Sequence, residues 1–220
     1  MLSDLRSTAY FLSASSLDDS LNQWLGYGGR QGYAIGFRAS GRLAQRRRDG
    51  SEMSPESSPL VGVHPLMGAN GWFRVVYDRG KQVSIVSRLL DLCSARGLMG
   101  DVNAPLRGRM MFGQLLPQFK HRAFRDEREV RFIVSAVPDA DEAFRPGKYG
   151  VVPFVRLIAA QKGEYGSAPH SGLRLPIASV TLGPVNADER QSMLSATSRL
   201  LEGARYEGVD VRPSEAPYRF

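Results

Sequence analysis

Cysteine is almost missing from this 220-residue sequence, in which Cys93 is the only one. A single thiol forms no internal disulfide, and its place in an apolar helical pattern predicts a buried side chain rather than a nucleophile. Long hydrophobic runs are missing as well, since no stretch approaches the ~18 apolar residues of a membrane span. The first residues also lack the layout of a signal peptide. We therefore expect a cytoplasmic protein that has no membrane partner.

Most short catalytic motifs are also missing. The sequence has no Walker motif, no Gly-x-Ser-x-Gly nucleophile elbow and no cysteine or histidine cluster with metal-ligand spacing. Its three histidines, His64, His121 and His170, are isolated from one another. We therefore expect no bound metal, and metal-dependent cleavage of phosphodiesters is disfavoured.

Acidic residues are outnumbered, because 22 Asp and Glu face 29 Lys and Arg and leave a net charge of +7. This balance favours an anionic partner such as a nucleotide, and it also allows a nucleic acid. The charge is scattered except for Arg46-Arg47-Arg48. That run lies in a polar segment, where it is more often solvated than ligand-binding.

Hydrophobic residues make up 42% of the chain, which is enough to bury a core in a single domain spanning 1–220. Residues 39–70 hold few core-forming residues and predict a flexible polar loop. Elsewhere, alternation and helical spacing predict strands 9–13, 33–37, 73–77, 127–134, 151–155, 176–182 and 209–211, with helices 17–25, 81–95, 106–119 and 186–203. This distribution favours an α+β fold with a mixed, mostly antiparallel sheet and three to four flanking helices.

The densest group of ionisable residues lies between Lys120 and Val134. If the chain from Glu127 onwards is a strand, Glu127, Glu129 and Arg131 share one face, and the alternating apolar residues form the core face. The two carboxylates would lie roughly 7 Å apart, given the rise of a strand. A cleft lined by these groups would tune a carboxylate, whereas a half-exposed strand would only carry them into solvent. Both interpretations remain open.

Aromatic residues lie beside a glycine-rich segment near the N-terminus. Trp24 and Tyr27 are candidates for the aromatic wall of a ligand site, although a tryptophan on a short helix more often belongs to the core. The glycines from Gly26 to Gly29 do not follow a strand and open a helix. They are therefore read as turn residues rather than a dinucleotide-binding fingerprint.

Six short motifs follow one another along most of the chain: Ser13-x-Ser15, Trp24-x-x-Tyr27-Gly28, Gly32-x-x-Ile35-Gly36-Phe37, Lys120 ahead of Glu127-x-Glu129-x-Arg131, Leu182-Gly183-Pro184 and Ser214-x-x-Pro217-Tyr218-Arg219. Together and in this order they resemble the bacterial family called domain of unknown function 2971. Members of that family usually carry a further segment ahead of the Ser-x-Ser strand. The resemblance therefore implies either a clipped reading frame or a reduced member.

Two of these motifs are also similar to the Ser-Thr-Ser and Glu-x-Glu elements of ADP-ribosyltransferases, which use NAD. This similarity implies that Glu129 is catalytic and stabilises the oxocarbenium-like state as nicotinamide leaves, while Glu127 helps to position the nucleophile. Residues that would order the cleft and hold NAD are Ser13, Ser15, Trp24, Tyr27, Lys120 and Arg131. Those enzymes place an arginine or histidine on a strand before the serine element, where this chain has only Arg6.

Two other classes of function stay open. The first is a noncatalytic module that binds a nucleotide or nucleic acid in a basic cleft. The second is a regulatory or interaction domain of a phage-defence or toxin locus, in which Glu127 and Glu129 merely pair with Arg131 and Arg125.

Overall fold

The computed structural model describes residues 9–28, 32–38, 43–50, 52–53, 71–98, 100, 111–135, 141–148, 150–159 and 174–217. Its strands are β1 Ala9–Ser15, β2 Tyr33–Phe37, β3 Leu43–Arg46, β4 Glu52–Met53, β5 Gly71–Arg74, β6 Glu129–Ser135, β7 Glu142–Gly147, β8 Gly150–Val155, β9 Leu157–Ala159, β10 Ile177–Leu182 and β11 Asp210–Pro213. Its helices are α1 Leu21–Gln23, which continues into a π-helical turn Trp24–Gly28, α2 Arg79–Leu98 and α3 Ala187–Gly203. Residues 111–115 are helical, and 3-10 turns span Leu116–Gln118 and Arg122–Glu127.

The strands form four sheets in the described ranges. In the first sheet, β6 lies between β1 and β5 and is antiparallel to both. In the second, β10 lies between β11, to which it is parallel, and β2, to which it is antiparallel. The third has the antiparallel order β4-β3-β9, and β7 and β8 form a hairpin. The predicted α+β class with mostly antiparallel strands is confirmed.

The core lies on the apolar face of β6, as its alternation predicts. Phe132 and Val134 pack with Leu43 of β3 in a buried cluster. The Trp72 ring meets Phe132 edge-on at a centroid distance of 5.5 Å, and it lies 6.2 Å from the ring of Phe37 on β2. Each fully buried side chain of this size contributes about 1.5–3 kcal/mol to folding. This core therefore joins the first three sheets.

The opposite face of β6 is buried too, although an exposed face was one of the two open interpretations. Glu129, Arg131 and Ile133 are 7%, 9% and 4% exposed. The candidate residues Glu129 and Arg131 therefore lie inside the protein rather than on a solvated strand.

The segment 39–70 is only partly a loop. Residues 43–46 form β3 and residues 52–53 form β4, and Leu43, Ala44 and Gln45 are buried. The predicted polar loop is therefore wrong for these strands, because three consecutive residues suffice to pair with β9 and reach the core. Apart from 47–50, the rest of the segment lies outside the described residues.

The helices agree with the predicted ones except at the first. Helix α1 begins at Leu21, four residues after the predicted start at 17, with Ser20 at the N-cap. Helix α3 begins after Asn186, as expected, and the backbone carbonyl of Asn186 accepts a bond from the Arg190 amide. The predicted helix 106–119 is helical over 111–118, and its first residues lie outside the described ranges. None of the described helices is long and apolar enough to cross a membrane.

Candidate active site

The candidate active site is built around the Glu129 carboxylate at the start of β6. The antiparallel register places Ser15 opposite Glu129 and Ser13 opposite Arg131, so these side chains share one face. Ser13 Oγ donates a hydrogen bond of 2.6 Å to Glu129 Oε1. Pairing of β1 with β6 therefore brings the Ser-x-Ser and Glu-x-Glu elements together.

Arg131 grips the same carboxylate with two donors. Its Nε lies 2.7 Å from Glu129 Oε1, and its Nη2 lies 3.0 Å from Oε2. A second cation, Lys120 Nζ, lies 2.9 Å from Oε2. Such fork-shaped, charge-assisted bonds are roughly twice as strong as neutral ones and fix the plane of the carboxylate.

This environment keeps Glu129 ionised. Burial alone would raise the pKa of its carboxyl group, but hydrogen bonds from Arg131, Ser13 and Lys120 outweigh that effect. Together they lower the pKa from 4.5 to about 2. Glu129 is therefore a fixed negative charge at neutral pH and is not a general acid.

Lys120 links the two glutamates of the motif. Its Nζ lies 2.5 Å from Glu127 Oε2 as well as 2.9 Å from Glu129 Oε2. Burial would lower the pKa of Lys120, but its bonds to Glu127 and Glu129 raise it overall. Gln82 of α2 holds the lysine backbone in place, because its Nε2 lies 3.0 Å from the Lys120 carbonyl oxygen.

The predicted strand 127–134 is wrong at its start, because the observed strand β6 begins at Glu129 and does not include Glu127. The 3-10 turn ends at Glu127, and Arg128 adopts the left-handed conformation with φ 44° before β6 begins. Two serines secure this turn: Ser15 Oγ donates to the Glu127 carbonyl at 2.8 Å, and the Ser16 amide donates to the Arg128 carbonyl at 3.0 Å. Glu127 therefore joins the site by its ion pair with Lys120, and not because it shares a strand face with Glu129.

Two aromatic rings flank the charged groups. Phe11 lies two residues before Ser13 on β1, and its ring centroid is 4.5 Å from the Arg131 guanidinium carbon. The Phe124 ring centroid is 4.9 Å from Lys120 Nζ. Both rings are about half exposed, at 49% and 48%. They offer flat apolar surface next to the buried carboxylate.

Some residues of the site were not predicted. The Tyr77 hydroxyl accepts a hydrogen bond of 2.8 Å from the Glu129 backbone amide. Tyr77 was visible only as the end of a predicted strand, and no sequence pattern connected it with Glu129. The position of Phe11 could have been predicted, since strand alternation places it on the same face of β1 as Ser13.

Trp24 and Tyr27 are separate from this group. Trp24 is 5% exposed, and its indole Nε1 donates to Asp19 Oδ1 at 2.6 Å. Tyr27 lies on the π-helical turn and is 74% exposed. Within the described ranges, no hydrogen bond or ring contact joins either residue to Glu129. The expected aromatic wall is therefore not formed by Trp24, whose ring is part of the packed interior.

Asp19 is the centre of a second polar cluster that the sequence did not reveal. Besides Trp24, it accepts bonds of 2.6 Å each from Ser214 Oγ and the Glu215 amide. Burial would raise the pKa of Asp19, but the bonds from Ser214, Trp24 and the Glu215 and Ala216 amides lower it. The motif at Ser214 is therefore hydrogen-bonded, through Asp19, to the segment that contains Trp24 and not to Glu129.

The formal charges of the first cluster cancel. Glu127 and Glu129 face Lys120 and Arg131, so the four side chains together carry no net charge. Such a group can present one oriented carboxylate to a developing positive charge, but it does not by itself attract an anion. No group of three potential metal ligands comes together among the residues that the structure describes.

Comparison with known proteins identifies one family. Residues 23–132, half of the chain, match the family model described as Protein of unknown function (DUF2971). The matched range contains Lys120, Glu127, Glu129 and Arg131, whereas Ser13 and Ser214 lie outside it. Neither a curated protein nor a solved structure matches the chain.

Proposed function

The chain belongs to the DUF2971 family, whose description names no activity, and we propose that it is an ADP-ribosyltransferase-like enzyme that uses NAD, with Glu129 as its catalytic residue. The hydrogen bond between Ser13 Oγ and Glu129 Oε1 carries this proposal. It joins the two elements that are similar to those of ADP-ribosyltransferases on neighbouring strands. In this arrangement Ser13 orders the proposed catalytic glutamate.

The residues around Glu129 fit the nicotinamide and ribose end of NAD. The half-exposed rings of Phe11 and Phe124 offer stacking surfaces for a flat heterocycle. Glu129 is ionised, as the chemistry requires. Lys120 and Arg131 are occupied by the glutamates, so their role is to hold the carboxylates rather than to bind the pyrophosphate.

Bound NAD would supply a ribose carbon whose bond to nicotinamide can break. The Glu129 carboxylate would face the positive charge that grows on the ribose, and its fixed orientation avoids reorganisation during the reaction. Arg131 and Ser13 are positioning residues that hold its plane. Glu127 uses Oε2 for Lys120 and is more exposed than Glu129, which suits it to accept a hydrogen bond from the incoming acceptor at Oε1.

The proposal is tested by NAD binding in a calorimeter together with an assay of released nicotinamide. We expect wild type to bind NAD and to release nicotinamide, and Glu129→Gln to lose about 100-fold or more in turnover, as when one oriented electrostatic group is removed. Glu189→Gln on α3, which neutralises an exposed glutamate, is the matched control and should behave like wild type. A folded wild-type protein that neither binds NAD nor releases nicotinamide would overturn the proposal.

One observation favours a second candidate, a noncatalytic nucleotide-binding or interaction domain. Both carboxylate oxygens of Glu129 are engaged, and the side chain is nearly inaccessible. In that case the four charged groups form a structural network that fixes the 3-10 turn against β6. This candidate would be supported if wild type bound a nucleotide but released no nicotinamide, and if a folded Glu129→Gln variant bound the nucleotide equally well.

A further inference from the structure

A row of arginines borders the candidate active site and is not used by it. Arg122 and Arg125 lie on the 3-10 turn Arg122–Glu127, and Arg128 follows at its C-cap. All three are exposed. Arg128 directly precedes Glu129 in the chain, and the turn that carries Arg122 and Arg125 ends at Glu127, whose carboxylate shares Lys120 with Glu129.

The spacing of the three arginines is regular. A 3-10 helix has three residues per turn and a rise of about 2 Å per residue, so Arg122 and Arg125 lie on one side of the turn about 6 Å apart. Arg128 continues the interval of three residues at the point where the chain turns into β6. Two exposed guanidinium groups about 6 Å apart, with a third at the end of the turn, suit a chain of phosphodiesters better than one isolated phosphate.

These arginines are also the uncompensated charges of the region. Among the described residues, the side chains of Arg122 and Arg128 make no ion pair, and the Arg125 side chain pairs with Asp126 at 3.9 Å. Both partners of that pair are largely exposed, at 77% and 80%, so solvent screens it strongly. Since Lys120 and Arg131 are neutralised by the glutamates, this row supplies positive charge that the four-residue cluster lacks.

An aromatic ring stands within the row. Phe124 lies between Arg122 and Arg125 in sequence and is 48% exposed, while its ring also contacts Lys120 at the edge of the site. Cationic side chains that track a backbone, combined with exposed rings on which bases stack, are the usual features of single-strand binding surfaces. The net charge of +7 acts in the same direction over longer distances.

We propose that Arg122, Arg125 and Arg128 bind the phosphate backbone of a single-stranded nucleic acid, with Phe124 stacking on a base, and that this strand is the acceptor presented to Glu129. The role as acceptor rests on the proposed function, whereas binding of the strand does not. The strand would lie along the 3-10 turn and bring a base nitrogen to the ribose of NAD. The bond from that nitrogen to the ribose carbon would form as the bond from the same carbon to nicotinamide breaks, so that nicotinamide leaves with the bonding electrons and the proton of the acceptor passes to water.

Binding is measured by fluorescence anisotropy with labelled single-stranded DNA and RNA oligonucleotides, without NAD, over a range of salt concentrations. For single strands, log K falls with log salt with a slope of about −0.7 per phosphate contacted, so three contacts give about −2. The test variant replaces Arg122, Arg125 and Arg128 by Gln. Its matched control replaces Arg190, Arg199 and Arg205, which are exposed at the other end of the described chain, by Gln.

We expect the test variant to lose about tenfold or more in affinity and most of its salt slope, while the control stays within about threefold of wild type. NAD binding and nicotinamide release without nucleic acid should be unchanged in the test variant. This result separates the inference from the proposed function, since strand binding can be lost while NAD turnover is kept, and strand binding can persist in a protein that never turns over NAD.

Three outcomes would overturn the inference. The first is a wild-type protein that does not bind either oligonucleotide at low salt. The second is evidence that only net charge attracts the strand. That evidence would be an equal loss of oligonucleotide affinity in the control variant, or displacement of the oligonucleotide by polyglutamate as effectively as by an unlabelled oligonucleotide of the same charge. The third is a loss of NAD binding in the test variant, which would assign the arginines to the pyrophosphate of NAD.

Discussion

Ser13 and Glu129 are 116 positions apart in the sequence and share a hydrogen bond of 2.6 Å across the β1–β6 pair. This bond is part-buried and ends on an ionised oxygen, which makes it one of the stronger single bonds of the site. Removing this bond therefore tests directly how much the pairing of these two side chains contributes to the stability of the site.

Ser13→Ala removes this bond and leaves the carboxylate with Arg131 and Lys120. We expect the free energy of unfolding to fall by about 1.5–3 kcal/mol, the range for hydrogen bonds to charged groups. Urea unfolding followed by circular dichroism measures the loss. Ser16→Ala is the matched control: its hydroxyl is exposed and donates only to a neutral carbonyl, so its effect should stay below that of Ser13→Ala. Equal effects would show that the Glu129 bond has no special strength.

Lys120→Met leaves both glutamates without their shared cation. We expect a loss of about 3 kcal/mol, because Arg131 is then the one remaining cation of the cluster for the carboxylates of Glu129 and Glu127, and Glu129 is nearly buried. Arg125→Met removes a cation from the exposed pair with Asp126 and should change stability by at most about 1 kcal/mol. If the two variants unfold at the same urea concentration, the pairing of Lys120 with the glutamates has no more effect on stability than the exposed pair.

A double-mutant cycle with Glu127→Gln shows whether the lysine couples the two glutamates. The single Glu127→Gln change should cost less than Lys120→Met, because Glu127 is the more exposed carboxylate. The interaction energy between positions 120 and 127 should be at least about 0.5 kcal/mol, since the two groups are in direct contact. An additive cycle would mean that the 2.5 Å contact adds nothing to stability.

The low pKa of Glu129 makes folding sensitive to acid. Its pKa in the folded protein, about 2, is below the ordinary value of 4.5, so the unfolded chain binds the proton first as the pH falls. The stabilisation is complete above about pH 4.5 and is lost as the pH falls toward 2. Asp19, whose pKa is also lowered, acts in the same direction.

We therefore expect the unfolding free energy of wild type to decline between pH 5 and pH 3 more steeply than that of Glu129→Gln, which lacks the titrating group. Urea unfolding at several pH values over this range measures both slopes. Glu189→Gln, at an exposed position of α3, should keep the wild-type slope. Parallel profiles for all three proteins would contradict the assigned pKa.

Two glycines of the π-helical turn differ in the space around them. A Cβ at Gly28 would lie 2.4 Å from Cε3 of the buried Trp24 ring, whereas a Cβ at Gly26 meets nothing within 4 Å. Gly28→Ala should therefore destabilise the protein by about 1–3 kcal/mol or more and shift the tryptophan fluorescence. Gly26→Ala should be neutral or stabilise by up to about 1 kcal/mol. If Gly28→Ala behaves like Gly26→Ala, the glycine is not required for the approach of Trp24.

The sequence predicted β6 well because a period of two separates its faces without reference to the rest of the chain. Phe132 and Val134 entered the core as expected, and Glu129 and Arg131 shared the other face. The conformation of Arg128 was not predictable in this way. Arginine is not a residue that marks a left-handed backbone, and the serines that secure the turn lie more than 100 positions away.

The role of Asp19 was hidden for a related reason. An acid shortly before a helix predicts an interaction with the helix dipole, which is a local effect. In the structure Asp19 instead joins Trp24 to Ser214 and Glu215, and the latter two are 195 and 196 positions away. Long-range partners of this kind leave no periodic signal in one sequence.

The central position of β6 also determines how rigid the site is. This strand is hydrogen-bonded along both edges, to β1 and β5, and is covered on both faces. Its amide hydrogens should therefore be among the slowest in the protein to exchange with solvent deuterium, because exchange there requires the sheet itself to open. The carboxylate of Glu129 is thus anchored in a rigid part of the molecule, and adaptation to a ligand falls to the exposed arginines and rings around it.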